Sequence, residues 1–187
     1  MAGREARAPS GFVSEIGLPW AAAISALVIV AVAVQSTLLT LTTILGVIPQ
    51  LVLVLVVSLA YLEGERVGLV TGFCGGLLVD LLLPVGSITG LTALVYTLVG
   101  YGVGSLRQYA PSDSVWMPVF TVSLASLIAE GSYAVLTVIL GGRFVGFALT
   151  TKIAGLVVLY NTLLTPFVFP LVRRIGVRLR PERVYRW

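Results

Sequence analysis

The 187-residue chain is 58% hydrophobic and 11% charged, with a formal net charge of +4, no histidine and one cysteine, Cys74. A soluble domain carries about 25% charged residues; these figures, with a mean hydropathy of +1.05, exclude a water-soluble fold and require an integral membrane protein. The same counts exclude an intrachain disulfide, a Cys-rich zinc site and any histidine-based catalytic triad or dyad.

A span needs about 20 mostly apolar residues. Ile16 to Leu62 is 47 residues without a charge, which predicts two helices, 18–39 and 47–62, with Thr40, Thr42, Thr43, Gly46 and Pro49 marking the turn. The basic start followed by an apolar run resembles a signal peptide, but the run is about 22 residues, longer than an h-region, and reads as an uncleaved first span. After the polar break Glu63-Gly64-Glu65-Arg66, a third helix is predicted over 67–83, interrupted only by Asp80. Pro84 to Ser87 is a turn signal, and helix 4 follows over 88–106. Helix 5 is predicted over 115–140 with Glu130 inside it, and helix 6 over 150–172. The expected architecture is all-α, with six transmembrane helices in one domain over 18–172, a cytoplasmic segment before it (1–17) and a basic cytoplasmic tail after it (173–187). A four-span arrangement, with helix 3 or 5 re-entrant, is the alternative.

Loop charges set the orientation. Arg4, Arg7, Arg66, Arg107 and the six tail arginines, Arg173, Arg174, Arg178, Arg180, Arg183 and Arg186, fall on one side, against Arg143 and Lys152 on the other. The positive-inside rule then places both termini in the cytoplasm. The tail is net +5, which attracts anionic lipid at about 1 kcal/mol per basic residue near the surface and offers a contact for an acidic cytoplasmic partner. It is too short and too close to the membrane to bind nucleic acid. Trp20, Tyr61 and Trp116 fall near predicted interfaces and read as belt anchors.

Helix 3 is the most informative segment. Gly64, Gly68, Gly72 and Gly76 recur every four residues, Asp80 is the next step, and Gly75 widens the small-residue face. Small residues at this spacing let two helix backbones approach closely, although glycine is frequent in membrane helices generally. Gly86/Gly90 and Gly100/Gly104 are shorter pairs of the same kind. The close approach is either to another helix of this chain or to the span of a partner.

Asp80, Glu130 and Lys152 are the ionisable groups expected below the membrane surface. An unpaired charge there costs at least about 2.5–3.5 kcal/mol, so each needs a partner, water or neutralisation. Asp80 and Lys152 fall at a similar depth, which predicts an ion pair, or a buried polar network that includes Glu130. A proton or cation relay would need acids at successive depths, and this chain has too few. There is no GxxxxGK[ST] phosphate-binding loop. Cys74 lies in an apolar stretch where a thiolate is disfavoured and reads as a packing residue. No cofactor, metal site or catalytic residue is expected.

Val67-Gly68, Thr71-Gly72-Phe73, the run Gly75-Gly76-Leu77-Leu78-Val79-Asp80-Leu81-Leu82, then Pro84, Gly86, Gly90 and Tyr101, resemble the rod shape-determining protein MreD family. Asn161-Thr162-Leu163-Leu164-Thr165-Pro166 followed by Arg173-Arg174 is similar to that family's closing segment. Gln50 departs from the Asp or Asn that often follows the proline before helix 2. The resemblance implies a bacterial inner-membrane protein of the cell-elongation, peptidoglycan-synthesising machinery, without catalytic activity. It implies association with MreC, a single-span protein with a periplasmic domain, and through it with the synthase RodA, its transpeptidase and the MreB filament. It also implies a fold similar to the six-helix substrate-binding subunits of energy-coupling-factor vitamin transporters. The alternative function is such a vitamin-binding subunit, with Asp80, Ser87, Thr89, Glu130 and Lys152 as the polar candidates. A lipid-handling channel or flippase would need a continuous polar groove, which the sequence does not trace. The oligomeric state is left open, a homo-oligomer included.

Overall fold

The computed structural model describes residues 17–39, 47–82, 88–109, 116–142 and 146–179. Gly86, Arg143, Arg180, Arg183 and Arg186, with the expected N-terminal segment up to residue 16, lie outside them. Six α-helices form the described part: α1 (Leu18–Val34, continued by a π-helical turn, Gln35–Leu39), α2 (Leu51–Glu63), α3 (Glu65–Leu82), α4 (Leu91–Leu106, continued by a 3₁₀ turn, Arg107–Tyr109), α5 (Met117–Ile139) and α6 (Phe147–Leu179).

The bundle is organised around α2. Every residue from Val52 to Ala60 is buried, and α2 packs against each of the other five helices. A helix that is apolar on all sides has to be enclosed. Around it stand faces contributed by Trp20, Ile24 and Val28 of α1, Val67 of α3, Val95 and Val99 of α4, Val122 and Ala125 of α5, and Val172 of α6. Trp20 is among the most buried side chains of the protein. It is therefore a core residue and not the interface anchor its position predicted: α1 turns its Trp20–Ile24–Val28 stripe inward. Trp116, 80% exposed, stands at the surface. Tyr61 meets Phe169 edge to face, with ring centroids 5.7 Å apart.

Among the described residues, three helices are long and apolar enough to cross a membrane: α1 with its π turn, α5 and α6. The helices expected over 47–62, 67–83 and 88–106 are present as α2, α3 and α4, with 13, 18 and 16 residues. With 13 residues, α2 is about 20 Å long at 1.5 Å per residue, short of the roughly 30 Å hydrocarbon core. Its N-terminus therefore cannot reach one membrane surface if its C-terminus reaches the other. At the opposite extreme α6 has 33 residues and runs about 50 Å, well past the expected end at 172. Arg173, Arg174 and Arg178 are thus exposed on its last turns.

The break between α2 and α3 is a single residue. Gly64 has φ +101°, a left-handed conformation that glycine adopts without a Cβ penalty. This reverses the chain within one residue and sets α2 and α3 side by side.

Candidate functional site

Two polar junctions lie inside the apolar bundle, each built on the start of a helix. The first four N–H groups of a helix have no partner within it, and in an apolar surrounding an unmet N–H is costly. In each junction side chains from other helices accept from two of the backbone amides at the helix start.

The first junction ends the glycine seam. On α3, a methyl added at Gly68 would collide with the Gly100 carbonyl of α4, and one at Gly72 with the Tyr96 carbonyl. One at Gly76 would stand 2.6 Å from Ala93 Cα. At the far end Gly104 faces the Gly64–Glu65 backbone in the same way. The two helices are antiparallel and touch backbone to backbone along this length. Of the two possible recipients of the glycine face, it is a helix of this chain that fills it. Gly75 faces elsewhere; a Cβ there would come 2.9 Å from Val52 Cγ1 of α2.

One step further along the same stripe, Asp80 Oδ2 accepts hydrogen bonds from the backbone N–H of Gly90 at 2.9 Å and Ala93 at 3.2 Å. α3 therefore supplies the N-terminal cap of α4. A carboxylate here meets both the open amides and the positive end of the helix dipole, which compensates its burial. Among the described residues Gly90 does not receive a neighbouring helix, as its pairing with Gly86 suggested; none of them lies within 4 Å of a Cβ placed on it. Its φ of +96° instead lets the chain turn into α4.

The predicted Asp80–Lys152 ion pair does not form. Lys152 is exposed on α6, while Asp80 is buried and bonded to the start of α4. Sequence depth placed the two at one level, but depth says nothing of azimuth around the bundle. Replacement of Asp80 by Ala is expected to cost about 1–3 kcal/mol, the penalty of orphaning buried donors. Asp80→Asn, which keeps an acceptor, should cost clearly less, and Lys152→Met no more than about 0.5 kcal/mol. Unfolding of the purified variants in detergent, followed by circular dichroism, checks the order.

The second junction is the start of α2. The backbone N–H of Gln50 donates to Asn161 Oδ1 of α6 at 3.1 Å, and that of Val52 to Gln35 Oε1 at 2.9 Å. Gln35 begins the π turn at the end of α1, a distortion that often marks a functional position in a helix. Asn161 Nδ2 donates in turn to Ser126 Oγ of α5 at 2.9 Å. Gln50 Nε2 donates to Glu130 Oε1, also on α5, at 2.6 Å. Gln50 Oε1 is buried without a hydrogen-bond partner among the described residues. Asn161 and Ser126 are fully buried. Four helices thus meet through side chains at one helix end. Tyr96 of α4, buried as well, lies within electrostatic reach of both Glu130 and Asp80. Glu130 therefore belongs to a polar network, but its hydrogen-bond partner is Gln50 and not Lys152.

Sequence reasoning overlooked Gln35 and Ser126, and noted Gln50 without giving it a role. The signal available was a pair of glutamines flanking the first turn in an otherwise apolar stretch. Cys74 is exposed and not packed in the core. Chemically, the two junctions hold acceptors against amides; they fix where α2 and α4 begin.

No curated protein and no solved structure matches the chain. A family model described as rod shape-determining protein MreD matches residues 14–175. That range takes in the glycine seam, both polar junctions and all of α2 to α5. Matched over nearly its whole length, the chain belongs to the MreD family of rod shape-determining membrane proteins.

Proposed function

We propose that this chain is a non-enzymatic scaffold of the cell-elongation machinery. It crosses the bacterial inner membrane several times, with both termini in the cytoplasm. It binds MreC and, through it, connects to RodA, its transpeptidase and MreB. The family match over residues 14–175 carries this reading. The polar residues of the core support it as well: Asp80, Gln35 and Asn161 are engaged in holding helix ends in place. The loop charges support the orientation, and the exposed Arg173, Arg174 and Arg178 then face anionic lipid or a cytoplasmic partner. The fold similar to vitamin-binding transporter subunits belongs to the same proposal.

Because α4 fills the glycine face, a partner's span has to meet the bundle elsewhere. Gly68, Gly72, Gly76, Gly100 and Gly104 then serve the partner indirectly, by fixing the shape of the surface it meets. Copurification tests the proposal. Coexpressed with MreC, the tagged chain is expected to retain it stoichiometrically through affinity and size-exclusion steps. Tight vitamin capture by the isolated chain, or copurification with transporter ATPase subunits in place of MreC, would overturn the scaffold reading.

A further inference from the structure

Between α4 and α5 runs a cleft of about 380 Å³ that none of the junctions above uses. Leu98 and Gly102 of α4 line it on one side, and Phe120, Leu124 and Ile128 of α5 on the other. From Val95 to Arg107, or from Met117 to Ser132, its walls extend about 20 Å at 1.5 Å per residue. Arg107 stands at its end, exposed, on the 3₁₀ turn that closes α4.

We propose that this cleft binds one anionic phospholipid, with an acyl chain between α4 and α5 and its phosphate on Arg107. Three observations single out that occupant. The first is charge complementarity: the walls are almost wholly apolar and, among the described lining residues, the single full charge is a cation at one end. A phospholipid has the same layout, an apolar chain ending in an anionic group. The second is that Arg107 is held in place. Its Nη1 donates to the Leu62 carbonyl at the end of α2, at 2.7 Å. A guanidinium has five N–H donors in a fixed fork, so this bond aims the group and leaves donors for phosphate, the bidentate partner arginine suits. The third is size. Half of a roughly 30 Å hydrocarbon core is one leaflet, and the walls of the cleft are long enough to cover that depth. A transmembrane helix is about 10 Å wide with its side chains, much broader than a single acyl chain. Its seat would also need small residues, whereas this one is walled by Leu98, Phe120 and Leu124. The binding is a lipid contact of this chain itself, separate from MreC binding, and holds whichever leaflet the Arg107 end faces.

Gly102 gives the means to fill the cleft. It is two residues from both Gly100 and Gly104, hence on the far side of α4 from the α3 seam, and a Cβ added there meets nothing within 4 Å. The full chain, reconstituted in nanodiscs of equal phosphatidylglycerol and phosphatidylcholine and then extracted in mild detergent, would be examined by native mass spectrometry. The wild-type chain is expected to keep one phosphatidylglycerol, preferred about fivefold over phosphatidylcholine, the size expected of one arginine beside anionic lipid. Gly102→Leu should lower occupancy about tenfold. Arg107→Gln should keep a lipid but lose the headgroup preference, while Gly155→Leu on α6 should keep both. Unchanged occupancy in Gly102→Leu, no headgroup preference in the wild type, or an unchanged preference in Arg107→Gln would overturn the proposal. If Gly102→Leu does not fold, the Arg107→Gln preference decides. A photo-crosslinker at Leu98 that captures a protein helix in place of lipid would also overturn it.

Discussion

Leucine at Gly72 is expected to abolish the folded protein. The added side chain starts at a Cβ that already collides with the Tyr96 carbonyl and stands 2.9 Å from Thr97 N. Both are backbone atoms in the middle of α4, so no rotamer change relieves the contact. The helices have to separate, and separation breaks the Asp80 cap and the Gly68–Gly100 approach at once. Overpacking of a core costs about 1–3 kcal/mol and sometimes more; a backbone clash along a seam belongs at the upper end, about 3 kcal/mol or beyond. Gly155→Leu is the matched control, since nothing lies within 4 Å of its Cβ. Size-exclusion profiles and apparent Tm of the two variants in detergent provide the measurement. Gly72→Leu should run aggregated or melt far below the wild type, and Gly155→Leu should match it. Equal behaviour of the two would mean that α3 and α4 do not meet as described.

The glycine seam was open to sequence reading because its signal is local. Gly68, Gly72 and Gly76 lie at one spacing on a single helix, with Gly64 just before it, and small residues have one dominant use in a membrane helix. The number of helices was equally accessible, from the positions of the polar breaks. What covers the glycine face was not, since a stripe describes one surface and not its mate. The junction at the start of α2 was hidden for a stronger reason. Gln50 and Asn161 are 111 residues apart, and Gln50 and Glu130 are 80 apart; hydropathy along the chain carries no information on such pairs. The Asp80–Lys152 expectation failed in the same way. It was built on depth, the one coordinate that residue counting supplies, and Asp80 found its partner ten residues ahead on the next helix. The length of α2 also escaped notice, because apolar residues before Leu51 extended the hydropathy signal beyond the helix.

Asn161 is the residue whose loss should be felt most widely among the polar groups. It accepts from the Gln50 N–H through its oxygen and donates to Ser126 through its nitrogen. It thereby ties α6, α5 and the start of α2 together with one side chain. Its own carbonyl accepts from Thr165 Oγ1 at 2.7 Å, one residue before Pro166, where the helix loses an N–H to the proline ring. Asn161→Leu has nearly the same volume but no polar atoms. It orphans the part-buried Gln50 N–H and a buried hydroxyl at about 1–3 kcal/mol each, so an overall loss of about 2–6 kcal/mol is expected. Ser126→Ala removes only one end of the chain of bonds and should cost about 1 kcal/mol or less. The decisive result is local: hydrogen exchange at Gln50 to Leu53 should quicken in Asn161→Leu before the rest of α2 does, because those amides mark where the helix begins. If exchange rises evenly through the bundle, or if Asn161→Leu is as stable as the wild type, then the start of α2 is held by something other than this side chain. The arrangement would explain why α2 can be so short. A helix that starts inside the bundle has to find hydrogen-bond partners there, and Asn161 and Gln35 are where they come from.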